Sequence, residues 1–346
     1  MNPPVFEPIR TPRLSIRQAR RDDADALYQR RNDPLVARYQ DWATPYPMAK
    51  VEEVLAEIAD MDGPQPDRWW MATVEDAQTG EIVGDLAVHL TSGGRTAEIG
   101  YTFDSRRWGK GLAVEAVDGL VDWLFSREQT TRVTGLLHPD NRASAMVLER
   151  TGFLFEGHTR LSFWLGDEVS DDWIYGMTRE DHETWRNRPR NPPSTVELVP
   201  IDQSNERDVF RLRTHKTQED FVAPMSASFA DALFPEIVDG APVVPWMRGV
   251  VADDEYVGFV MLALITEHHT EPYLWRLLID RLHQRRGIGA RVIELISDEC
   301  RSMGATTLLT SWEVGRGTPA PFYAGLGFVP TGRIVDEETE ARKQLV

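Results

Sequence analysis

Apolar positions along this chain recur in two rhythms, and the places where one gives way to the other mark out its elements. Leu277-Leu278-Ile279 is a continuous apolar run that reads as a buried strand. Beyond a basic, glycine-spaced turn, Val292, Ile293, Ile296, Cys300 and Met303 recur at the spacing of one helix face. The first half shows the same change. Glu98-Ile99-Gly100-Tyr101-Thr102-Phe103 reads as a strand, and after Trp108-Gly109-Lys110-Gly111-Leu112-Ala113 a helix is predicted with Val114, Val117, Leu120, Val121, Leu124 and Phe125 inside. Earlier, 13–17 alternates like a first strand, 22–31 and 51–58 predict helices, and 69–74 and 82–88 predict paired strands around a Thr79-Gly80 turn. Asp22 or Asp23 is the expected cap of the first helix, with Ala24, Leu27 and Tyr28 on its inner face. Residues 131–137 predict a further strand, followed by a helix that stops at Gly152-Phe153. In the second half, 196–199 predicts a strand and 208–215 a helix.

The two halves repeat one unit. Gly111 and Gly152 lie 41 positions apart, Gly287 and Gly327 lie 40 apart, and the copies are offset by about 175 positions. Placing Gly111 opposite Gly287 and Ala113 opposite Gly289 starts the helix at the same point in both copies. That register is preferred to the one allowed by letter, Arg106-x-x-Gly109-x-Gly111, and it leaves Trp108 where a Gln or Arg is wanted. The order of elements predicts an α/β class, an α+β mixed sheet with helices on both faces. Arg186-Asn187-Arg188-Pro189-Arg190-Asn191-Pro192-Pro193-Ser194 is proline-rich and polar and reads as a linker. The expected domains are therefore 1–185 and 196–346, joined by 186–195, in keeping with roughly 150 residues per domain.

Strand, glycine turn and helix together make a phosphate cradle: Gly287 and Gly289 let the backbone approach an anion, and the free N–H groups of the first helical turn point at it. A lone Gly-x-Gly occurs in many tight turns. The spacing Gln284-x-x-Gly287-x-Gly289 is neither the dinucleotide fingerprint nor the nucleoside-triphosphate loop. It is similar to the pyrophosphate-binding turn of the GNAT superfamily of N-acetyltransferases. Phe322-Tyr323-Ala324-Gly325-Leu326-Gly327-Phe328 resembles that family's second signature. The resemblance implies two tandem acyl-CoA N-acyltransferase (GNAT) domains using acetyl-CoA as co-substrate. Over about 9–185 the chain resembles the ribosomal-protein alanine acetyltransferase branch, through Glu98-Ile99-Gly100-Tyr101, Trp108-Gly109-Lys110-Gly111 and Asn141-x-x-Ser144 ahead of Leu148-Glu149-Arg150-Thr151-Gly152-Phe153. Over 196–334 it resembles the bacterial diamine (spermine/spermidine) acetyltransferases, through 217–224, Val257-Gly258-Phe259-Val260-Met261, 274–279 and Gly317-Thr318-Pro319.

Composition narrows the setting. Net charge is −17, shared between the halves, which argues against nucleic acid as a partner and favours a cationic small molecule at the sites. No apolar run approaches the ~20 residues of a membrane span, and the N-terminus has no basic-then-apolar leader, so no membrane role and a cytoplasmic setting are expected. The single cysteine, Cys300, falls on the apolar helix face and excludes a disulfide framework. His268-His269 has no neighbours at ligand spacing, so no metal is expected.

By the resemblance, the acyl-CoA pyrophosphate would lie on Gln284, Arg285, Arg286, Gly287, Ile288, Gly289 and Ala290, and in the first domain on Trp108, Gly109, Lys110, Gly111, Leu112 and Ala113. A backbone N–H near Leu278 and Ile279, or near Phe103, would polarise the thioester carbonyl. Tyr323 would be the general acid for the leaving thiolate. Leu148 takes its place in the first domain, where Asn141 and Ser144 would lie near the thioester; both are also favoured helix caps. Glu98, Glu271, Glu313 or a water chain would take the amine's proton. Trp246 and Trp275 would line an amine pocket by cation–π contact. The expected acceptor is a small primary amine, a polyamine or an amine-bearing antibiotic, acetylated chiefly in the second domain. Alternatives are an amino-sugar or thiol-precursor substrate, in the manner of mycothiol synthase, and a first domain that binds acyl-CoA without catalysis. Two fused copies would act as a monomeric pseudo-dimer or pair further as a homodimer.

Overall fold

The apolar runs become the strands of two separate mixed sheets in the computed structural model, which describes residues 6–345 apart from Asp239. The chain divides into two units, Met1–Asn187 and Arg188–Val346. The first runs β1 (Ile9–Arg10), β2 (Leu14–Gln18), α1 (Ala24–Arg31), α2 (Pro34–Ala37), α3 (Met48–Ala59), β3 (Trp69–Asp76), β4 (Ile82–Thr91), β5 (Thr96–Phe103), α4 (Leu112–Ser126), β6 (Arg132–Leu137), α5 (Arg142–Arg150), β7 (Leu154–Leu165), β8 (Glu168–Thr178) and α6 (Arg179–Asn187). Its eight strands lie in the order β1-β2-β3-β4-β5-β6-β8-β7, antiparallel except for the central β5·β6 pair.

The second unit runs β9 (Val196–Pro200), α7 (Glu206–Phe210), α8 (Met225–Leu233), β10 (Ile237–Val238), β11 (Ala241–Pro242), β12 (Pro245–Ala252), β13 (Glu255–Ala263), β14 (Tyr273–Ile279), α9 (Ile288–Ser302), β15 (Thr307–Trp312), α10 (Ala320–Gly325), β16 (Phe328–Val335) and β17 (Glu338–Gln344). Seven strands form the order β9-β12-β13-β14-β15-β17-β16, with β14·β15 parallel, and β10 and β11 make a separate hairpin. Strand for strand this is the first unit's sheet without β1. Each repeat closes with a hairpin of two strands, where the sequence pattern gave one.

Helical periodicity translates into burial with small corrections. On α9, Ile288, Val292, Ile293, Ile296 and Cys300 are buried. Met303, expected inside, is the residue just beyond the last turn and is exposed. On α4, Leu112, Ala116, Val117, Leu120, Val121, Leu124 and Phe125 face the core, and Val114 sits off that face. Asp23 precedes α1 without capping it by its side chain. Its carboxylate instead pairs with Arg17 (2.7 Å) and accepts from Thr73 Oγ1 (2.7 Å). The helix expected over 208–215 stops at Phe210, because the chain turns away to lay Arg213 against the turn after β14: its N–H donates to Asp280 (3.0 Å), and its carbonyl accepts from the Arg281 N–H (2.9 Å). α6 extends through Arg186 and Asn187, which composition had assigned to the linker. Among the described residues no helix is long and apolar enough to cross a membrane.

Candidate active site

β5 and β14 each end in a turn that delivers the chain to a 15-residue helix, and the same hydrogen bonds hold both turns. The N–H of Asp104 donates to Val83 (3.0 Å) and that of Asp280 to Val257 (2.8 Å). The Asp104 carboxylate accepts from the Arg106 N–H (3.0 Å), and that of Asp280 from the Leu282 N–H (2.9 Å). Gly111 and Gly287 are the helix N-caps, with φ of 74° and 81°, the left-handed region in which a side chain is strained. Two residues earlier the backbone is left-handed again, at Gly109 (77°) and at Arg285 (64°). A Cβ added at Gly109 or Gly287 would meet nothing within 4 Å, so the space above each turn is open. The first N–H groups of a helix have no intrahelical acceptors, so this space suits an anion.

Trp108, out of pattern in the sequence, does the work of Gln284. Its indole Nε1–H donates to the Phe103 carbonyl (2.9 Å), and Gln284 Nε2 donates to the Ile279 carbonyl (3.0 Å). Donor and acceptor correspond in both units, so the departure is one of letter and not of structure. Gln284 also exchanges hydrogen bonds with Gln218 (2.8 and 3.3 Å), tying the 216–221 segment to the turn.

The other cradle residues divide by role. Leu112 and Ile288 are buried and anchor the first helical turns, while Ala113 and Ala290 are half-buried. Gly289 packs closely, since a Cβ there would stand 3.2 Å from Phe322. Lys110 and Arg285 are exposed. Arg286 is not: its Nε donates to the Asn191 carbonyl (2.8 Å) and its Nη1 to His283 Nδ1 (2.9 Å). Burial holds His283 below the usual imidazole range, which leaves Nδ1 free to accept. The guanidinium of Arg286 therefore braces the turn through Asn191 and His283.

Beside each turn the sheet opens. The parallel pair β5·β6 is in register only from Thr96↔Arg132 to Glu98↔Thr134, and β14·β15 only at Tyr273↔Leu309 and Leu274↔Thr310. Past those rungs the strands part, so the backbone of Ile99–Phe103 and Trp275–Ile279 has no strand partner on that side; the Phe103 and Ile279 carbonyls are taken by Trp108 and Gln284, and the other groups facing the gap are open to an extended amide chain.

The last rung carries different chemistry in the two units. In the second, Tyr323 on α10 reaches Thr310 with its hydroxyl, stacks on Trp312 (5.6 Å, 10°) and packs edge-on against Phe328 (5.3 Å). Burial pushes its phenol up to about 12, so it holds its proton throughout the physiological range. In the first unit Leu148 is buried against Gly135, while Tyr101 of β5 donates to the Ser144 carbonyl (2.9 Å). Asn141 caps α5 by accepting from the Ser144 N–H (3.2 Å). The rung itself holds Glu98, a half-buried carboxylate raised above the usual range by burial, with His89 drawing it down and Asp41 and Asp172 pushing it up.

The other proposed bases are placed otherwise. Glu271 accepts from Thr307 (2.5 Å) and pairs with Arg342 (2.9 Å), and Glu313 is exposed. The face of Trp246 is taken by Arg248 (4.1 Å), and Trp275 is half-buried, packed against the cluster around Phe259. Among the described residues no group of three or more potential ligands could hold a metal. Sequence reasoning missed the buried pair Arg30–Asp85 (2.6 Å) beneath the first turn. Its signal was a lone acid inside the apolar run Val83-Gly84-Asp85-Leu86.

Comparison with known proteins fits this geometry. A family described as "Acetyltransferase (GNAT) domain" matches residues 13–154, and "Acetyltransferase (GNAT) family" matches 209–328. The chain is 32% identical over 182 residues to an uncharacterized N-acetyltransferase, p20, of Bacillus licheniformis, a match covering 51% of this chain and 99% of that one. It is 28% identical over 96 residues to the ribosomal-protein-serine acetyltransferase of Escherichia coli (strain K12), covering 28% of this chain and 54% of the relative. Among solved structures it is similar to spermidine N-acetyltransferase from Vibrio cholerae in complex with CoA and spermine, with TM-score 0.44, 18% identity, and 50% of this chain and 99% of that one covered. The chain belongs to the GNAT acetyltransferase family, with one such domain in each half, and is an N-acetyltransferase.

Proposed function

We propose that the protein transfers the acetyl group of acetyl-CoA to a primary amine of a small cationic acceptor, a polyamine or an amine-bearing antibiotic, and that both turns hold acyl-CoA. The observation that carries this reading is the pair of open, left-handed turns, matched bond for bond, each beside a parting pair of strands. The pyrophosphate would lie against the amides of 108–113 and 284–290. Acetyl-CoA supplies the activated acyl carbon as a thioester. The backbone beside Phe103 or Ile279 faces the carbonyl, and the amine enters by the last rung.

The second unit is the better seat for catalysis, because its rung carries a phenol that stays protonated and can donate to a departing thiolate. The C–N bond forms, the C–S bond breaks, the amine's proton leaves to a base or water, and Tyr323 protonates or hydrogen-bonds the sulfur. In the first unit Leu148 removes that donor, while Glu98 supplies a carboxylate able to take the amine's proton. A first unit that binds acyl-CoA without turnover is the second reading, favoured by Leu148 alone.

Calorimetric titration with acetyl-CoA, followed by a thiol-release screen over polyamines and aminoglycosides, tests the reading. Two bound equivalents and release with a cationic amine are expected; no binding at all would remove it. Tyr323→Phe should lower kcat about 10²-fold with unchanged acetyl-CoA affinity. With the phenol pushed up to about 12, no alkaline fall due to Tyr323 should appear below that pH.

A further inference from the structure

We propose that Arg13, in the turn before β2, binds a phosphate of acetyl-CoA in the first unit; the proposal rests on the reading of 108–113 as an acyl-CoA cradle. The guanidinium arrives at the N-terminus of α4 from outside that helix and is fixed on two sides. Its Nε donates to Glu115 Oε2 (2.6 Å) and its Nη1 to the Lys110 carbonyl (2.8 Å). The same carboxylate accepts from the Arg13 N–H (2.7 Å) and from the Thr11 hydroxyl (2.6 Å). The remaining amino group, Nη2, has no hydrogen-bond acceptor among the described residues. It lies 3.6 Å from where a Cβ on Gly111 would stand, beside the cap of the helix. The side chain as a whole is 50% exposed.

The electrostatics of the placement favour an anion beyond Glu115. A helix N-terminus is already a centre of positive potential, and cations there are repelled. Here Arg13 and the exposed Lys110 both stand at it, with Glu115 as the single carboxylate of the first turn. The two other arginines of this turn are engaged elsewhere, Arg106 with Asp104 and Arg107 with Glu81. Burial pushes the Glu115 carboxyl up, but the hydrogen bonds from Thr11 and Arg13 outweigh it and hold it below the usual range. The clasp is therefore ionised at neutral pH and orients the guanidinium before any ligand arrives, which lowers the ordering cost of binding. With Nε and Nη1 both held, the one amino group left, Nη2, is placed to donate a charge-assisted hydrogen bond to a phosphate oxygen. Among the described residues the second unit has no such device. Position 291, which corresponds to Glu115, is an arginine paired with Glu294, and no side chain comes within 4 Å of the Cβ position of Gly287.

The test uses the full chain carrying Gly287→Val, so that remaining binding reports the first unit. Arg13→Ala and Arg13→Lys are compared with that parent against acetyl-CoA, its 3′-dephospho form and acetyl-pantetheine, which lacks every phosphate. Arg13→Ala should weaken acetyl-CoA binding about tenfold, the scale of one charge-assisted hydrogen bond, and leave acetyl-pantetheine binding unchanged. Arg13→Lys, which keeps the charge and loses the fork, should fall between and serves if the alanine variant does not fold. A loss that persists with the dephospho form assigns the pyrophosphate; one that vanishes assigns the 3′-phosphate. Equal losses on all three ligands, or none, overturn the proposal and leave Arg13 a brace. A parent that binds no acetyl-CoA removes the first unit's cradle reading, and this inference with it.

Discussion

Beneath β5 the first unit sets a buried ion pair; beneath β14 the second sets three hydrophobic side chains. Asp85 pairs across the sheet with Thr102, accepts from its hydroxyl (2.6 Å) and bridges to Arg30 (2.6 Å), with both ionic side chains 6% exposed. At the corresponding rung Phe259 faces Leu278, and Phe229 stacks over Phe259 with ring centres 6.3 Å apart. The turns above are nevertheless the same. A turn shaped by its own backbone asks of its support only that it hold two strands in register, and either chemistry does so. What must stay alike is whatever sets the backbone: the left-handed caps, the aspartates after the strands, and a donor to the last carbonyl.

The sharpest way to break this comparison is to strand the charge. Arg30→Leu leaves Asp85 buried without its cation and should destabilise the first unit by about 3–5 kcal/mol, read as a fall in its thermal transition while the second unit's is unmoved. Joining Arg30→Phe to Asp85→Phe and Thr102→Leu, which imports the second unit's residue types, should recover most of the loss. If the triple variant stays as unstable as the single one, the supports are not interchangeable.

Next in size are the caps. Gly111→Val and Gly287→Val each force a β-branched residue to φ near 74° or 81°, at about 1–3 kcal/mol of strain, and should each lower acetyl-CoA affinity at their own site tenfold or more. Because the turns are alike, the two losses should match. A large loss at one site and none at the other would show that only one turn is a cradle.

Trp108 tests the donor. Trp108→Phe keeps the ring and removes the N–H that holds the Phe103 carbonyl, a change of about 1 kcal/mol and a roughly fivefold weaker affinity at the first site. Trp108→Gln supplies the group found at Gln284 and should restore it. No difference between the two variants would mean that the ring's bulk, and not its N–H, shapes the turn.

Legibility followed the same division. The glycine spacing, the strand before it and the apolar face after it are local, so the strand–turn–helix unit of each half could be read from residues alone, while β12, β15 and the second strand of each closing hairpin could not. Trp108 was misjudged because pattern compares letters, whereas an indole N–H and an amide N–H can reach one carbonyl. Arg286 was grouped with the cradle because it lies in the turn; only its bonds to Asn191 and His283, made after folding, show that the side chain faces away. Tyr323 was legible as a family position, but not its neighbours Trp312 and Thr310, which come from a strand eleven and thirteen positions earlier. The Arg13–Glu115 clasp joins residues 102 positions apart, and no local rhythm announces such a pair.

The smallest effect concerns the one left-handed position at which the turns disagree. Gly109 takes φ of 77° freely; Arg285 takes 64° with a side chain, at about 1–2 kcal/mol. Arg285→Gly should therefore raise stability by about 1 kcal/mol and the second unit's melting temperature by about 2–4 °C. Affinity should move the other way. An exposed guanidinium beside an open turn adds favourable potential for a pyrophosphate, so the glycine variant should bind acetyl-CoA a few-fold more weakly, and the difference should shrink as salt is raised. Gly109→Arg sets the reverse experiment in the first unit, with stability lost and affinity little changed, since Lys110 and Arg13 already supply charge there. If Arg285→Gly stabilises and binds equally well, the strain at this position has no counterpart in binding. The two turns would then differ by a residue that the second one merely tolerates.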